Sequence, residues 1–339
     1  MDWLWGKFDK AQLNSSLFQS HIQCDDRVNS PQGVTMRILI TGGTGFIGFE
    51  LIKLLSTHEL VVLTRNIPKA TQRFAHIPSQ NLQFIHSLDE LSDFNQIDAI
   101  INLAGEPIAD KRWSPAQKKR IAQSRLAITE QLVEKIHASA HPPAVFLSGS
   151  AVGFYGDQQA HAFDESLQVR SEHFSHQICH DWEQLALKAH SDQTRVCLLR
   201  TGIVLAPEGG ALKKMLPPYR LGLGGPIGDG QQYMPWIHML DMVRAIVFLL
   251  ETEHAHGAYN LCAPHPVTNA EFSQTLANAL KRPHMLKTPQ WLIKLLLGEA
   301  SELLLDSIRA KPKKLTDLGF QFYYSRIDRA FSQLLNQTQ

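Results

Sequence analysis

Short runs of apolar residues recur along the first two hundred positions, and longer stretches with apolar residues on one helical face separate them. The apolar runs occupy residues 37–40, 60–63, 99–103, 144–147 and 196–199. The intervening amphipathic stretches, which predict helices, occupy residues 46–55, 115–136 and 174–189. Strands that are apolar throughout are buried on both faces, and their alternation with helices is typical of a parallel sheet. The pattern predicts an α/β fold with a doubly wound parallel sheet.

The rhythm changes after Arg200. Residues 221–230 are rich in glycine and proline and predict a loop, and the pattern then predicts helices at 239–251, 269–280 and 289–310. We therefore expect a dinucleotide-type sheet domain at 36–205, with contributions from 231–262, and a smaller, mostly helical substrate lobe at 206–335. Residues 1–35 show no sustained period, so we expect a poorly ordered extension, with Met36 as an alternative start of the chain.

Composition and charge narrow the class of partner. The chain carries 33 basic and 32 acidic residues, a net charge of +1, so no charge excess attracts nucleic acid or an anionic membrane. No apolar run is long enough to span a bilayer. The four cysteines are widely scattered, which is typical of reduced thiols. We expect a cytoplasmic protein that binds a small molecule, with homodimer formation left open.

A glycine-rich turn follows the first predicted strand. The segment from Gly43 to Gly48 reads G-x-G-x-x-G between a strand and a helix. Glycines allow a tight turn and a close approach by phosphate, and the helix N-terminus offers unpaired N–H groups. The turn predicts a Rossmann-type dinucleotide site. Its predicted contacts are Gly42, Thr44, Gly45, Phe46 and Ile47.

The end of the second strand indicates which dinucleotide binds. An NAD site places a carboxylate there to hold the ribose 2′-hydroxyl. Here the strand ends in Thr64 and Arg65, with Lys69 beyond and no acid. A guanidinium suits a 2′-phosphate, so we predict NADP as the cofactor, with Thr64 and Arg65 as contacts. The alternative is that Arg65 is a solvated surface residue.

Three motifs together resemble an extended short-chain dehydrogenase/reductase of the NAD-dependent epimerase/dehydratase superfamily. The turn at 41–48 resembles its TGxxGxxG, residues 102–105 its NxAG, and residues 148–151 with 154–157 its serine motif. Further segments at 112–125, 221–229, 235–241, 257–260 and 319–320 resemble the YfcH-like epimerase branch, which has an extra C-terminal domain. The resemblance covers about 36–335. It implies cofactor contacts at Leu103, Ala104, Gly105 and Ser148, and a catalytic role for Ser150.

The catalytic pattern departs from that of the family. Redox-active members carry Tyr-x-x-x-Lys on one helix, where the tyrosine transfers a proton and the lysine holds the ribose. With Glu183 as the register mark, Ser175 and Cys179 stand at those two positions. The family's asparagine position falls near Arg125, which we consider a candidate for holding an anionic substrate. Ser175 is a second candidate substrate contact.

Other candidates for chemistry are weaker. Tyr155 follows the serine motif, and we interpret it as a packing residue. His173, His176 and His180 stand at helical spacing, yet the apolar stripe of the same helix faces elsewhere. We therefore expect the three histidines on the outer face and no metal site.

Three functions remain open. The first is an NADP(H)-dependent oxidoreductase or epimerase that acts on a small molecule, with its proton taken from a nonstandard group or from water. The second is a non-catalytic dinucleotide-binding sensor or regulatory module. The third is an interaction protein that uses the fold only as a scaffold.

Overall fold

The computed structural model describes residues 35–336 of the 339-residue chain, and the extension predicted at 1–35 falls almost entirely outside them. The strands are β1 (Arg37–Thr41), β2 (Glu59–Leu63), β3 (Leu82–Ile85), β4 (Ala99–Asn102), β5 (Val145–Ala151), β6 (Ala162–Phe163), β7 (Arg195–Thr201), β8 (Ile203–Leu205), β9 (Tyr233–Met234), β10 (Trp236–His238), β11 (Gly257–Leu261), β12 (Val267–Thr268) and β13 (Arg309–Ala310). The helices are α1 (Phe46–Leu54), α2 (Ile67–Arg73), α3 (Pro115–Ala138), α4 (Phe174–Leu187), α5 (Gly210–Arg220), α6 (Met239–Glu251), α7 (Asn269–Ala279), α8 (Gln290–Leu297), α9 (Glu302–Leu305), α10 (Lys313–Asp317) and α11 (Ile327–Asn336).

A seven-stranded parallel sheet in the order β11-β7-β5-β4-β1-β2-β3 forms the centre of the fold. Ile38 of β1 pairs with Leu60 of β2 on one side and with Ala99 of β4 on the other. The strand order therefore reverses at β1, and the loops after β1 and β4 diverge there. Such a switch point opens a crevice at the carboxyl ends of the strands, where ligands bind. The predicted fold class is confirmed.

Apolar side chains on one face of the sheet form a cluster with α3 and α4. It includes Leu39, Val61, Ile100, Phe146, Leu132 and Ala186. A second cluster joins α5, α7 and α11 in the C-terminal part of the chain. It includes Leu212, Leu216, Phe272, Leu276, Phe331 and Leu334. Helices whose apolar faces are buried in this way derive most of their stability from packing.

One predicted helix is wrong. The pattern predicted a single helix over 289–310, but α8 ends at Leu297 because Gly298 adopts a φ of +61°, in the left-handed region. A 3₁₀ turn (Gly298–Ser301), the short α9 and strand β13 follow. Strand β3, whose sequence alternates apolar and polar residues only weakly, was not predicted. Within residues 35–336, no helix combines the length and apolar character needed to cross a bilayer.

Candidate active site

The turn after β1 has a backbone path that only glycine can follow. Gly42 has a φ of +69°, and a Cβ atom there would lie 2.4 Å from the carbonyl oxygen of Leu103. A Cβ on Gly48 would lie 2.4 Å from the Gly42 oxygen. The Gly45 amide donates to that same Gly42 oxygen at 2.9 Å, which closes the turn. The sequence therefore folds here into a bare backbone surface at the base of the crevice.

Helix α1 points its N-terminus at this surface. Its first internal hydrogen bond runs from the Phe49 amide to the Gly45 oxygen at 3.1 Å, so the amides of Phe46 and Ile47 have no partner within the helix. Gly45 provides no side-chain cap, and no acidic residue lies in the first turn. Free amides and a positive dipole end fit a diphosphate.

A cationic edge lies where β2 ends. Thr64 is buried, whereas Arg65 is exposed and no ion pair or hydrogen bond joins it to another residue of the described chain. Arg73 donates to the Thr44 carbonyl oxygen at 2.9 Å, and its guanidinium lies 4.2 Å from the centroid of the Phe49 ring. Sequence reasoning missed Arg73. Its spacing of four from Lys69 on α2 was the available signal.

Polar side chains fix the loop after β4 beside the glycine turn. Thr41 donates from Oγ1 to Asn102 Oδ1 at 2.6 Å, and the Ala104 amide donates to Thr41 Oγ1 at 3.2 Å. Asn102 Nδ2 in turn donates to Thr129 Oγ1 of α3 at 2.8 Å. This buried network presents Leu103 and the exposed Gly105 at the crevice. Thr41 and Thr129 were not predicted as site residues.

Ser148 lies behind the crevice and does not line it. The residue has no exposed surface, and its hydroxyl is 3.5 Å from Asn102 Nδ2. A side chain without exposed surface cannot contact a cofactor, so the predicted contact at Ser148 is corrected to a supporting role. The sequence motif does not distinguish a supporting serine from a serine that lines the crevice. Ser148 and Ser150 both belong to β5 and differ only in how deeply they are buried.

Ser150 donates a hydrogen bond of 2.6 Å from Oγ to Glu183 Oε1. Arg200 of β7 donates two hydrogen bonds to the same carboxylate, from Nε to Oε1 at 2.8 Å and from Nη2 to Oε2 at 2.7 Å. The three side chains are each less than one-tenth exposed. A bidentate pair of this kind fixes the orientation of the carboxylate through two charge-assisted hydrogen bonds. Sequence reasoning used Glu183 only as a register mark and missed Arg200.

The network continues away from the crevice. Arg200 Nη1 donates to the Tyr155 hydroxyl at 2.8 Å, and that hydroxyl donates to Asn260 Oδ1 of β11 at 2.8 Å. Tyr155 has no exposed surface, and burial raises the pKa of its phenol to about 12. The interpretation of Tyr155 as a packing residue is confirmed.

The two positions that replace the family's tyrosine and lysine are buried. Ser175 packs against Gly153, and its amide donates to Glu302 Oε1 at 3.0 Å, so the structure does not bring it to the crevice. Burial raises the pKa of the Cys179 thiol to about 12, which keeps it protonated near neutral pH. Neither side chain can serve as the usual proton donor.

His176 corrects another expectation. Its side chain is buried, with ring Nδ1 2.5 Å from the Phe154 carbonyl oxygen, so its predicted place on the outer face is wrong. His173 and His180 are exposed. Among residues 35–336, no group of three or more histidine, cysteine, aspartate or glutamate residues has the geometry of a metal site.

The C-terminal part of the chain lies against the edge of the crevice. Gly209 and Gly210 lie against the Phe46 ring, so closely that a Cβ on Gly209 would be 2.4 Å from it. Lys214 of α5 donates to Ala109 O at 3.0 Å and pairs with Asp110 at 2.5 Å, on the loop that follows β4. Helix α5 and the residue before it therefore contact both the glycine turn and the loop after β4.

Together, the switch-point crevice, the glycine turn and the capless helix define a Rossmann-type dinucleotide-binding protein with a covering C-terminal region. The sequence profile of the NAD dependent epimerase/dehydratase family matches residues 38–262, and the chain belongs to this family. A second profile, described as a domain of unknown function (DUF1731), matches residues 288–334.

Relatives match over most of their length. The chain is 38% identical over 307 residues to the chloroplastic homolog of epimerase family protein SDR39U1 from Arabidopsis thaliana, covering 88% of this chain and 87% of the relative. It is 35% identical to epimerase family protein SH2119 from Staphylococcus haemolyticus, covering 88% and 99%. The crystal structure of human epimerase family protein SDR39U1 (isoform 2) with NADPH superposes with a TM-score of 0.80 at 33% identity, covering 89% and 99%.

Proposed function

We propose that this protein is an NADP(H)-binding oxidoreductase or epimerase of the short-chain dehydrogenase type that acts on an unidentified small molecule. The observation that carries the proposal is the unpaired, exposed guanidinium of Arg65 at the end of β2, where an NAD site has an acid. The similar human protein was solved with NADPH, which supports the choice of dinucleotide. The predicted cytoplasmic location and the homodimer stay predictions.

The residues at the crevice fit a dinucleotide. Backbone amides at Thr44, Phe46 and Ile47 would bind the diphosphate, and Arg65 would pair with the 2′-phosphate. Leu103 would contact the planar rings of the dinucleotide that pass over β4. When bound, NADPH supplies a hydride to a substrate carbon, and the substrate oxygen then requires a proton.

Ser150 and Glu183 provide a route for the proton in the oxidation direction, and reduction would run the same route in reverse from a protonated Glu183. Because Ser150 donates its own hydrogen to Glu183, its Oγ lone pairs are free to accept a hydrogen bond from a substrate hydroxyl. In the oxidation direction, the substrate hydroxyl would give its proton to Ser150 while Ser150 passes its own to the Glu183 carboxylate. Arg200 positions the carboxylate for this transfer.

Tryptophan quenching by NADPH and NADH tests the cofactor choice. We expect Arg65→Ala to weaken NADPH binding by about 10- to 100-fold, the loss of one or two charge-assisted hydrogen bonds, and to leave NADH binding within about twofold. Arg170→Ala, which removes another exposed arginine, is the matched control and should change neither. Equal loss of both nucleotides in Arg65→Ala would contradict the proposal.

The second candidate is a non-catalytic dinucleotide-binding module, such as a sensor. The burial of Ser175 and Cys179 favours it, because neither can replace the phenol or the ammonium of the family. A panel of aldehydes and ketones, with oxidation of NADPH followed at constant pH, separates the two. If no compound is reduced and Ser150→Ala behaves like the wild type, the enzyme proposal fails and the module remains.

A further inference from the structure

Arg125 of α3 is a partly buried cation whose hydrogen-bonding capacity is largely unused. Its Nη1 donates to the carbonyl oxygens of Glu106 and Ile121, both at 3.1 Å. Arginine has five N–H donors, and within residues 35–336 no hydrogen bond involves its Nε or Nη2. Three donors therefore remain for a ligand.

The guanidinium is held in a fixed orientation. A Cβ atom on Gly105 would lie 2.9 Å from Arg125 Cζ, 3.0 Å from Nη2 and 3.1 Å from Nη1, so the planar group lies flat on this glycine. Its Cζ is 5.3 Å from the Trp182 ring centroid. A guanidinium fixed by stacking and by two carbonyl oxygens loses little entropy when a ligand binds.

The electrostatic surroundings leave this cation incompletely compensated. Burial lowers the pKa of Arg125, and the neighbouring Glu106 carboxylate only partly opposes that effect. Cys179 is a protonated thiol and carries no charge to share. A partly buried cation with free donors is stabilised by an anionic or hydroxyl-bearing ligand.

The topology indicates which ligand would reach Arg125. A dinucleotide placed with its diphosphate on the turn after β1 and its 2′-phosphate at the end of β2 must extend its other half over β4 and β5. Gly105 follows β4, and Arg125 rests on it. The nicotinamide half of the dinucleotide would therefore pass the edge of this guanidinium, where Nε and Nη2 have no hydrogen bond within residues 35–336.

We infer that Arg125 binds the ribose and phosphate oxygens of the nicotinamide half, and so provides from α3 the positive charge that α4 lacks at Cys179. This inference rests on the proposed NADP(H) function. It differs from the expectation that Arg125 holds an anionic substrate, which stays a prediction.

Two ligands distinguish a contact of Arg125 with the nicotinamide half from a contact with the adenosine half. NADPH contains both halves, whereas 2′,5′-ADP contains only the adenosine half with its 2′-phosphate. We expect Arg125→Gln to weaken NADPH binding at least about tenfold, the loss of a charge-assisted hydrogen bond, and to leave 2′,5′-ADP within about twofold. Arg65→Ala should weaken both ligands, and Arg125→Lys should retain part of the NADPH affinity.

Two further variants complete the experiment. Gly105→Ala should displace the guanidinium and weaken NADPH alone, while Arg120→Ala, on the same helix and paired with Gln117, should change nothing. Unchanged NADPH affinity in Arg125→Gln, or equal loss of both ligands with an intact near-UV spectrum, overturns the inference. Failure of the wild type to bind either ligand would instead refute the proposed function.

Discussion

The turn after β1 and the helix α4 depend on different kinds of chemistry. The turn offers backbone amides, and its glycines are required because a Cβ on Gly42, for example, would lie 2.4 Å from the Leu103 oxygen. Helix α4 would act through side chains, and there Ser175 and Cys179 are buried and uncharged. A backbone site is sensitive to substitution mainly at its glycines, whereas a side-chain site loses its function with two substitutions. Cofactor binding and the usual proton chemistry can therefore separate within one fold.

The largest expected effect comes from breaking the ion pair between Arg200 of β7 and Glu183 of α4. Arg200→Ala leaves the Glu183 carboxylate buried without its partner, and we expect the free energy of unfolding to fall by about 3–5 kcal/mol. Urea denaturation followed by circular dichroism measures it. As a control, Lys313→Ala breaks the exposed pair with Asp317 and should cost at most about 0.5 kcal/mol. Equal losses in the two variants would mean that the Glu183–Arg200 pair is not a structural centre.

The glycine turn can be broken without touching α4. Gly42→Val places a branched side chain against Leu103 at a positive φ, and we expect NADPH affinity to fall by about 100-fold, about 3 kcal/mol. Gly319→Ala is the matched control, because Gly319 also has a positive φ, +90°, yet a Cβ there meets nothing within 4 Å. It should bind NADPH like the wild type. Isothermal titration calorimetry distinguishes them, and a Gly42→Val protein with normal affinity would contradict the assigned turn.

Restoring the missing phenol tests whether α4 has lost only a side chain or also the space for one. The Ser175 Cβ would lie 3.1 Å from a Cβ on Gly153, and the Ser175 amide donates to Glu302 Oε1 at 3.0 Å. We expect Ser175→Tyr to lower the free energy of unfolding by about 1–3 kcal/mol through overpacking and to confer no new NADPH oxidation. Ser175→Ala is the control and should cost less. A stable Ser175→Tyr protein with raised turnover would show that the position opens to the cleft.

The same contrast explains how much the sequence predicts. The turn, the strands around it and the choice of Arg65 follow from local patterns, since glycine spacing and apolar runs determine backbone geometry nearby. The contact of Ser150 with Glu183 and Arg200 joins residues up to 50 positions apart, and only the strand order brings them together. The depth of His176 and Ser148 likewise depends on which neighbour covers them. Local patterns cannot specify this.

The smallest expected effect comes from Ser150→Ala. Glu183 keeps both of its bonds to Arg200, so the loss of the 2.6 Å hydrogen bond should cost only about 1 kcal/mol of unfolding free energy. NADPH affinity should stay within about twofold, because the proposed contact of Ser150 is with the substrate oxygen and the proposed contacts of the dinucleotide are with the turn. Ser148→Ala, which removes a longer 3.5 Å contact, is the control for a buried serine. A large loss of NADPH affinity in Ser150→Ala but not in Ser148→Ala would mean that the turn after β1 and helix α4 are coupled. Cofactor binding would then depend on the side chains at α4.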